Sequence, residues 1–229
     1  MTSKLQYPNY ETLSSDAKLL LASRPQRNMY RMLAHAPSTL PGVLELTRAL
    51  LHEGSLPPKL RELAILRVGH LCGCAYEVHQ HRKIGAAVGL DEARMDATAR
   101  APEAGPDSGY SETEALVLRF VEQVVRHNRA ETDLRDRVVE SLGMEQMIEL
   151  LVLVGTYAML ARVLENTGVE IENGGGPCPM EVAQLYGPQA SVWPRRRRAA
   201  GAPATTPGFL PAPSPRSTRS RRSSATRIS

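Results

Sequence analysis

Acid, thiol and imidazole groups crowd one short stretch of this chain. Between Leu60 and Gly89 (LRELAILRVGHLCGCAYEVHQHRKIGAAVG) lie two of the three cysteines, Cys72 and Cys74, and three of the six histidines, His70, His79 and His81. Glu62 and Glu77 are in the same stretch. On an ideal helix at 100° per residue, Arg67, His70, Cys74, Glu77 and His81 share roughly 80° of arc. A cation, a thiol, an acid and two imidazoles on one face could transfer protons, perform thiol redox chemistry or ligate a metal. The ordinary role of polar residues at helical spacing is to form a solvated face. Against it stands the concentration of Cys and His, types used for reactivity or burial more than for solubility. Gly73 is the position where such a helix would break and its halves rotate apart.

The elements that must position these groups read as helices throughout. Pro57-Pro58 opens the central segment and Gly89 closes it. Before it, residues 14–23 form a short helix capped by Ser14 or Ser15. A second helical piece runs from Arg27 to His35 and ends at Pro37. Ser38 is positioned to cap a third through about Leu51, with Pro41 in the first turn and an apolar face of Leu40, Leu44, Thr47 and Leu51. After the central segment Asp91 starts a short helix that fades into a Pro/Gly loop at 100–110. Ser111-Glu112-Thr113-Glu114 is a capping box before the apolar pair Leu116 and Phe120. Residues 132–142 and 144–165 read as two more helices. The last is apolar nearly all round between Glu149 and Arg162, twelve residues where a bilayer span needs about 20. That pattern predicts a helix buried on all sides in a core or subunit interface, not a membrane span. No period-2 pattern marks a strand, so the fold class is all-α.

The run R-E-L-A-I-L-R-V at 61–68, followed by Cys74-Ala-Tyr76-Glu77 and His81, resembles the carboxymuconolactone decarboxylase family, which includes the alkylhydroperoxidase D-like proteins. The segments Arg27–Pro37 and Glu149–Glu170 resemble the flanks of that family, so the likeness covers roughly residues 10–172. It implies a compact six-to-eight-helix domain over 10–172 and a homo-oligomer, trimer or hexamer, with the apolar last helix as a contact surface. Family members with peroxidase activity carry Glu, Cys-x-x-Cys and His at offsets that fall here on Glu62, Cys74, Glu77 and His81. Glutamate therefore stands where the second redox cysteine would be, a form similar to the decarboxylase-like branch.

The resemblance implies cofactor-free acid–base chemistry on a small carboxylated lactone or related ring acid. Glu77 and His81, at i and i+4, can act on one substrate, with His81 as electrophile or proton donor and Glu77 as the proton-shuttling partner. Glu62 would orient or relay, and Arg67, His70 and Tyr76 would line the substrate site, Arg67 against a carboxylate. The alternative is a thiol-dependent peroxidase working through Cys74. There Cys72 is a poor resolving partner, because a Cys-x-Cys disulfide closes a strained ring, and an adjacent carboxylate raises the thiol pKa. A metal site from His70, Cys74, Glu77 and His81 is disfavoured, since ligands on one helix rarely enclose a tetrahedral ion. No metal or cofactor is expected. A further alternative is a non-enzymatic oligomer that binds a small acid, with Tyr30, Tyr76 and Tyr157 near the pocket. Aromatics make up 4% of the chain, so no stacking platform is evident.

Composition bounds the remainder. Three cysteines do not make a disulfide framework, and the N-terminus MTSKLQYPNYETLSSD lacks the apolar core of a secretion signal, so a cytoplasmic protein is expected. The net charge of +4 conceals an asymmetry. Residues 190–229 hold nine arginines and no acid, which leaves 19 basic against 24 acidic residues, or −5, in 1–189. Residues 173–229, rich in Gly, Pro, Arg and Ser and including Cys178, are expected to be disordered. Their charge would attract anionic surfaces. Without interleaved aromatics, however, nucleic acid is not the expected partner.

Overall fold

Helix α4 (Pro58–Leu71) is the axis of the fold, and every residue from Leu60 to Gly69 is buried. This computed structural model describes residues 4–23, 27–100 and 109–172. The Arg-rich tail, Cys178 and most of the Pro/Gly loop lie outside them. The described residues hold helices and no strand, an all-α fold. In order they are α1 (Ser15–Ala22), α2 (Asn28–Leu33), α3 (Leu40–His52), α4, α5 (Ala75–Ala87), α6 (Glu92–Ala97), α7 (Glu112–His127) and α8 (Thr132–Thr167). A 3-10 turn at Tyr10–Thr12 precedes them. α4 packs against α5, α7 and α8.

Local chemistry sets most of the boundaries. Ser14 caps α1 by accepting from the Ala17 amide, and Asp91 caps α6 through the Arg94 amide. At α7 the Ser111/Glu114 capping box is complete in both directions. Ser38 is not the cap of α3. Thr39 occupies that place without a side-chain cap bond, its hydroxyl donating instead to the Ala36 carbonyl.

One further expectation is corrected. The central segment is not one helix from Pro58 to Gly89. It breaks at Cys72–Cys74, where Gly73 takes φ +66, a conformation that costs any residue with a Cβ. The chain turns there, and α5 packs back along α4, with the ideal Gly69 Cβ position 3.0 Å from Val78 Cγ2. Within the chain, burial is distributed unevenly between α4 and α8. α4, despite Arg61, Glu62 and Arg67, is buried along its length because those charges are paired inside. The apolar α8 instead leaves Met144, Ile148, Val152 and Met159 exposed along one side.

α8 kinks at Gly143 (φ 80, ψ 164), so residues 132–142 and 144–167 run as two helices, as their sequence predicts. By length and composition α8 could cross a membrane, and 50% of its apolar window is buried within the chain. The main core joins α1, α3, α4, α7 and α8 through residues such as Leu44, Ile65, Val117, Phe120, Leu150 and Leu153. A smaller cluster of Cys74, Tyr76, Ala161 and Leu164 lies where α5 begins against the end of α8. Beyond α8, Gly168 (φ +67) turns the chain into an extended segment ending at Glu172. The N-terminal segment clasps this end: the Leu5 amide donates to the Thr167 carbonyl at 3.0 Å, and Lys4 pairs with Glu170.

Candidate active site

The turn at Gly73 brings residues nineteen apart into contact. His81 Nδ1 on α5 lies 2.7 Å from Oε2 of Glu62 on α4, both side chains buried. Glu62 is completely enclosed, and its other oxygen accepts from Arg61 Nε at 3.3 Å. The His81 ring stands edge-on to Tyr157 of α8, with centroids 4.9 Å apart and planes at 88°. With Nδ1 held by the Glu62 carboxylate, Nε2 is the nitrogen left for chemistry.

Glu77, one turn before His81, is only 3% exposed. Neither of its carboxyl oxygens has a hydrogen-bond partner. Burial pushes its pKa up to about 8, and the charge of Glu165 on α8 adds to the shift. At neutral pH this group is therefore a carboxylic acid that carries a proton and has nowhere in the protein to donate it. Cys74, at the N-terminus of α5, is fully buried, and its thiol is pushed up to about 12. Burial is the main cause there too, with the Glu77 and Glu165 charges opposing ionisation. Cys72 is half-buried, its thiol raised by burial and by Glu77.

Tyr76 faces a different partner from Glu77. Its hydroxyl donates to Glu172 at 2.6 Å, and burial followed by that carboxylate raises its pKa. Arg67 points elsewhere: it donates to the Thr98 carbonyl at 3.0 Å and to Glu122 of α7 at 2.7 Å. Burial works against ionisation of Glu122, yet the Arg67 and Arg126 bonds hold its pKa below the usual range. His70 shares the Arg67 side of α4, where burial and then the charges of Arg67 and Arg82 lower its pKa. Glu77 and His81 thus lie one turn apart on α5, His81 reaching Glu62 on α4, while Cys74 and Tyr76 pack at the start of α5 against the end of α8. Arg67 and His70 are directed toward α6 and α7. The shared face expected on one continuous helix is divided by the Gly73 turn. Among the described residues, no three His, Cys, Asp or Glu groups converge as a metal site.

Three contributors escaped the sequence reading. Arg61 adjoins Glu62, and the juxtaposed charges were a usable signal. Glu165 and Glu172 lie about ninety residues from Glu77 and Tyr76, and nothing local connects them.

The family model described as Carboxymuconolactone decarboxylase family matches residues 37–120, from the start of α3 into α7. This stretch is carboxymuconolactone decarboxylase-like. It contains Glu62, Cys74, Glu77 and His81, while Tyr157, Glu165 and Glu172 lie beyond it. No curated protein sequence matches the chain. Among solved structures, the alkylhydroperoxidase AhpD core of an uncharacterized peroxidase-related protein from Ralstonia eutropha JMP134 aligns with TM-score 0.64 and 16% identity, over 76% of this chain and 94% of that one. An uncharacterized peroxidase-related protein from Silicibacter sp. TM1040 aligns with TM-score 0.63 and 15% identity, over 74% and 91%. The apo debrominase Bmp8 aligns with TM-score 0.51 and 18% identity, over 75% and 92%. The carboxymuconolactone decarboxylase-like segment therefore sits in an AhpD-like helical fold.

Proposed function

We propose that this protein is a carboxymuconolactone decarboxylase-like enzyme performing cofactor-free acid–base chemistry on a small carboxylated lactone or related ring acid. The observation that carries this reading is the protonated, unpartnered Glu77 carboxyl one helical turn from the buried Glu62–His81 pair. In such a reaction the C–CO2 bond breaks and its electron pair delocalises through a double bond onto the lactone carbonyl, forming an enolate. The enolate then takes a proton at carbon. Glu77 supplies a neutral acid for that proton, in surroundings where the carboxylate it leaves behind is costly and is quickly reprotonated. The imidazolium form of His81 polarises the carbonyl, its Nδ1–H donating to Glu62 and its Nε2–H to the carbonyl oxygen.

The peroxidase-related neighbours motivate a second reading, a thiol peroxidase working through Cys74. Two features weigh against it: a thiol pushed up to about 12 supplies little thiolate at neutral pH, and Glu77 stands where a resolving cysteine would be. The deciding experiment is hydroperoxide consumption with excess dithiol, beside Cys74→Ser, together with an assay of carboxylated lactones beside Glu77→Gln. Lactone turnover lost in Glu77→Gln supports the acid–base reading. Peroxide turnover lost in Cys74→Ser overturns it. We also infer a homo-oligomer, trimer or hexamer, joined through the exposed side of α8, and a cytoplasmic setting.

A further inference from the structure

The central groups are almost wholly enclosed. Cys74 and Glu62 are completely enclosed, Glu77 is 3% exposed and His81 is 7% exposed. The cluster around Cys74 and Tyr76 is covered by Ala161 and Leu164 of α8, Met29 of α2 and Val169. The first two belong to a helix built into the main core, so moving them would disturb Leu153, Tyr157 and Leu160 as well. Val169 does not. It sits in the five-residue segment after α8, whose backbone ties to that helix are the Gly168 and Val169 amides, both donating to the Leu164 carbonyl at 3.0 and 3.2 Å.

The far end of that segment is held by one side chain. The Glu172 carboxylate accepts from the Tyr76 hydroxyl at 2.6 Å and from the Asn28 amide at 2.6 Å, and Gln80 Nε2 also donates to it. Its partners thus come from α5 and α2, on both sides of the cluster that Val169 covers. The near end turns at Gly168, the left-handed cap of α8, a conformation glycine adopts without strain. Secondary ties, which must also open when Val169 lifts, are the Val169 amide to the Leu164 carbonyl at 3.2 Å, the Glu170 amide to the Tyr7 hydroxyl at 3.4 Å, Asn28 Nδ2 to the Glu170 carbonyl at 3.0 Å and the exposed Lys4–Glu170 pair.

We propose that residues 168–172 form a strap over the start of α5, that Glu172 is its latch, and that release of the latch admits small molecules to Cys74 and Glu77. The strap pivots at Gly168, lifts Val169 off Cys74 and Tyr76, and leaves the helices in place. This rests on the reading of the Glu77 surroundings as the reactive site, but its test needs no substrate.

The probe is methyl methanethiosulfonate, a small neutral thiol reagent, applied at fixed pH to full-length Cys72→Ser protein with and without Glu172→Ala. Labelling of Cys74 is followed by peptide mass spectrometry, and amide exchange is measured in parallel. Removing a carboxylate that accepts three bonds should speed Cys74 labelling on the order of tenfold or more. Exchange in α4 should stay slow while the Asn28 amide loses protection. Unchanged Cys74 labelling overturns the proposal, as does faster labelling matched by equally faster exchange throughout α4, which would mean global loosening. Absence of lactone turnover would remove the acid–base reading and leave the strap standing.

Discussion

His81 Nδ1 and Glu62 Oε2 meet at 2.7 Å across the α4–α5 interface, with Arg61 on the opposite oxygen of the same carboxylate. Both the orientation of the imidazole and the neutralisation of a buried charge depend on Glu62. Removing one member of such a buried network leaves its partners poorly compensated, at a cost of about 3 kcal/mol or more. Glu62→Ala is expected to lose that much in denaturant unfolding. Glu62→Gln, which keeps an acceptor oxygen for Arg61, should lose less. Equal losses in the two variants would mean that the charge carries the whole effect and that the acceptor oxygen retained by Gln contributes nothing.

Glu77 gives the chain a pH-dependent liability. Its folded-state pKa of about 8 lies above the ordinary value of 4.5, so the folded protein holds a proton that the unfolded chain releases. The benefit of the neutral acid is complete below about 4.5 and is lost as pH rises toward 8, a contribution on the order of a few kcal/mol. Glu77→Gln has no such dependence. Thermal melts at pH 5, 7 and 9 should show the variant gaining on the wild type as pH rises. A constant difference across that range would refute the buried-acid assignment.

Gly73 is a clean probe of the turn, because a Cβ there would meet nothing within 4 Å and the whole penalty is conformational. Gly73→Ala is expected to destabilise by about 1–2 kcal/mol, and Gly73→Asn by less, since Asn tolerates the left-handed region better. Urea midpoints of the two variants test the order.

The exposed side of α8 predicts an effect on mass rather than on stability. With Ile148→Glu and Val152→Glu combined, a homo-oligomer joined there should dissociate in sedimentation velocity while its helical circular dichroism is retained. If the double variant sediments as the wild type does, this face is not the contact.

Local signals in the sequence were legible wherever one turn of helix decides the outcome. Ser14, Asp91 and the Ser111/Glu114 box each satisfy backbone amides within three residues, so their roles are visible without tertiary information. The Glu62/Cys74/Glu77/His81 quartet was named through a family resemblance, and of its members Glu62 and His81 are in contact. The division of the shared face at Gly73 was visible as a weakness, but its direction was not, since only packing along α4 fixes how α5 folds back. Arg67 shows the limit most plainly: nothing local tells a substrate-binding guanidinium from one spent on Glu122, fifty-five residues away. The burial of α4 was not decided by its pattern for the same reason, because Arg67 finds its partners through tertiary contacts.

The clasp between the two ends of the described chain ties the first residues to the reactive centre. Leu5 bonds to the carbonyl that immediately precedes the Gly168 pivot, and a Cβ on Gly168 would stand 3.3 Å from Lys4 Cα. A purification tag fused ahead of residue 4, or proteolytic trimming into residues 4–9, would therefore alter the setting of Tyr76 from the far end of the sequence. Preparations differing only at the amino terminus should be compared before any difference in turnover is ascribed to a residue in α5.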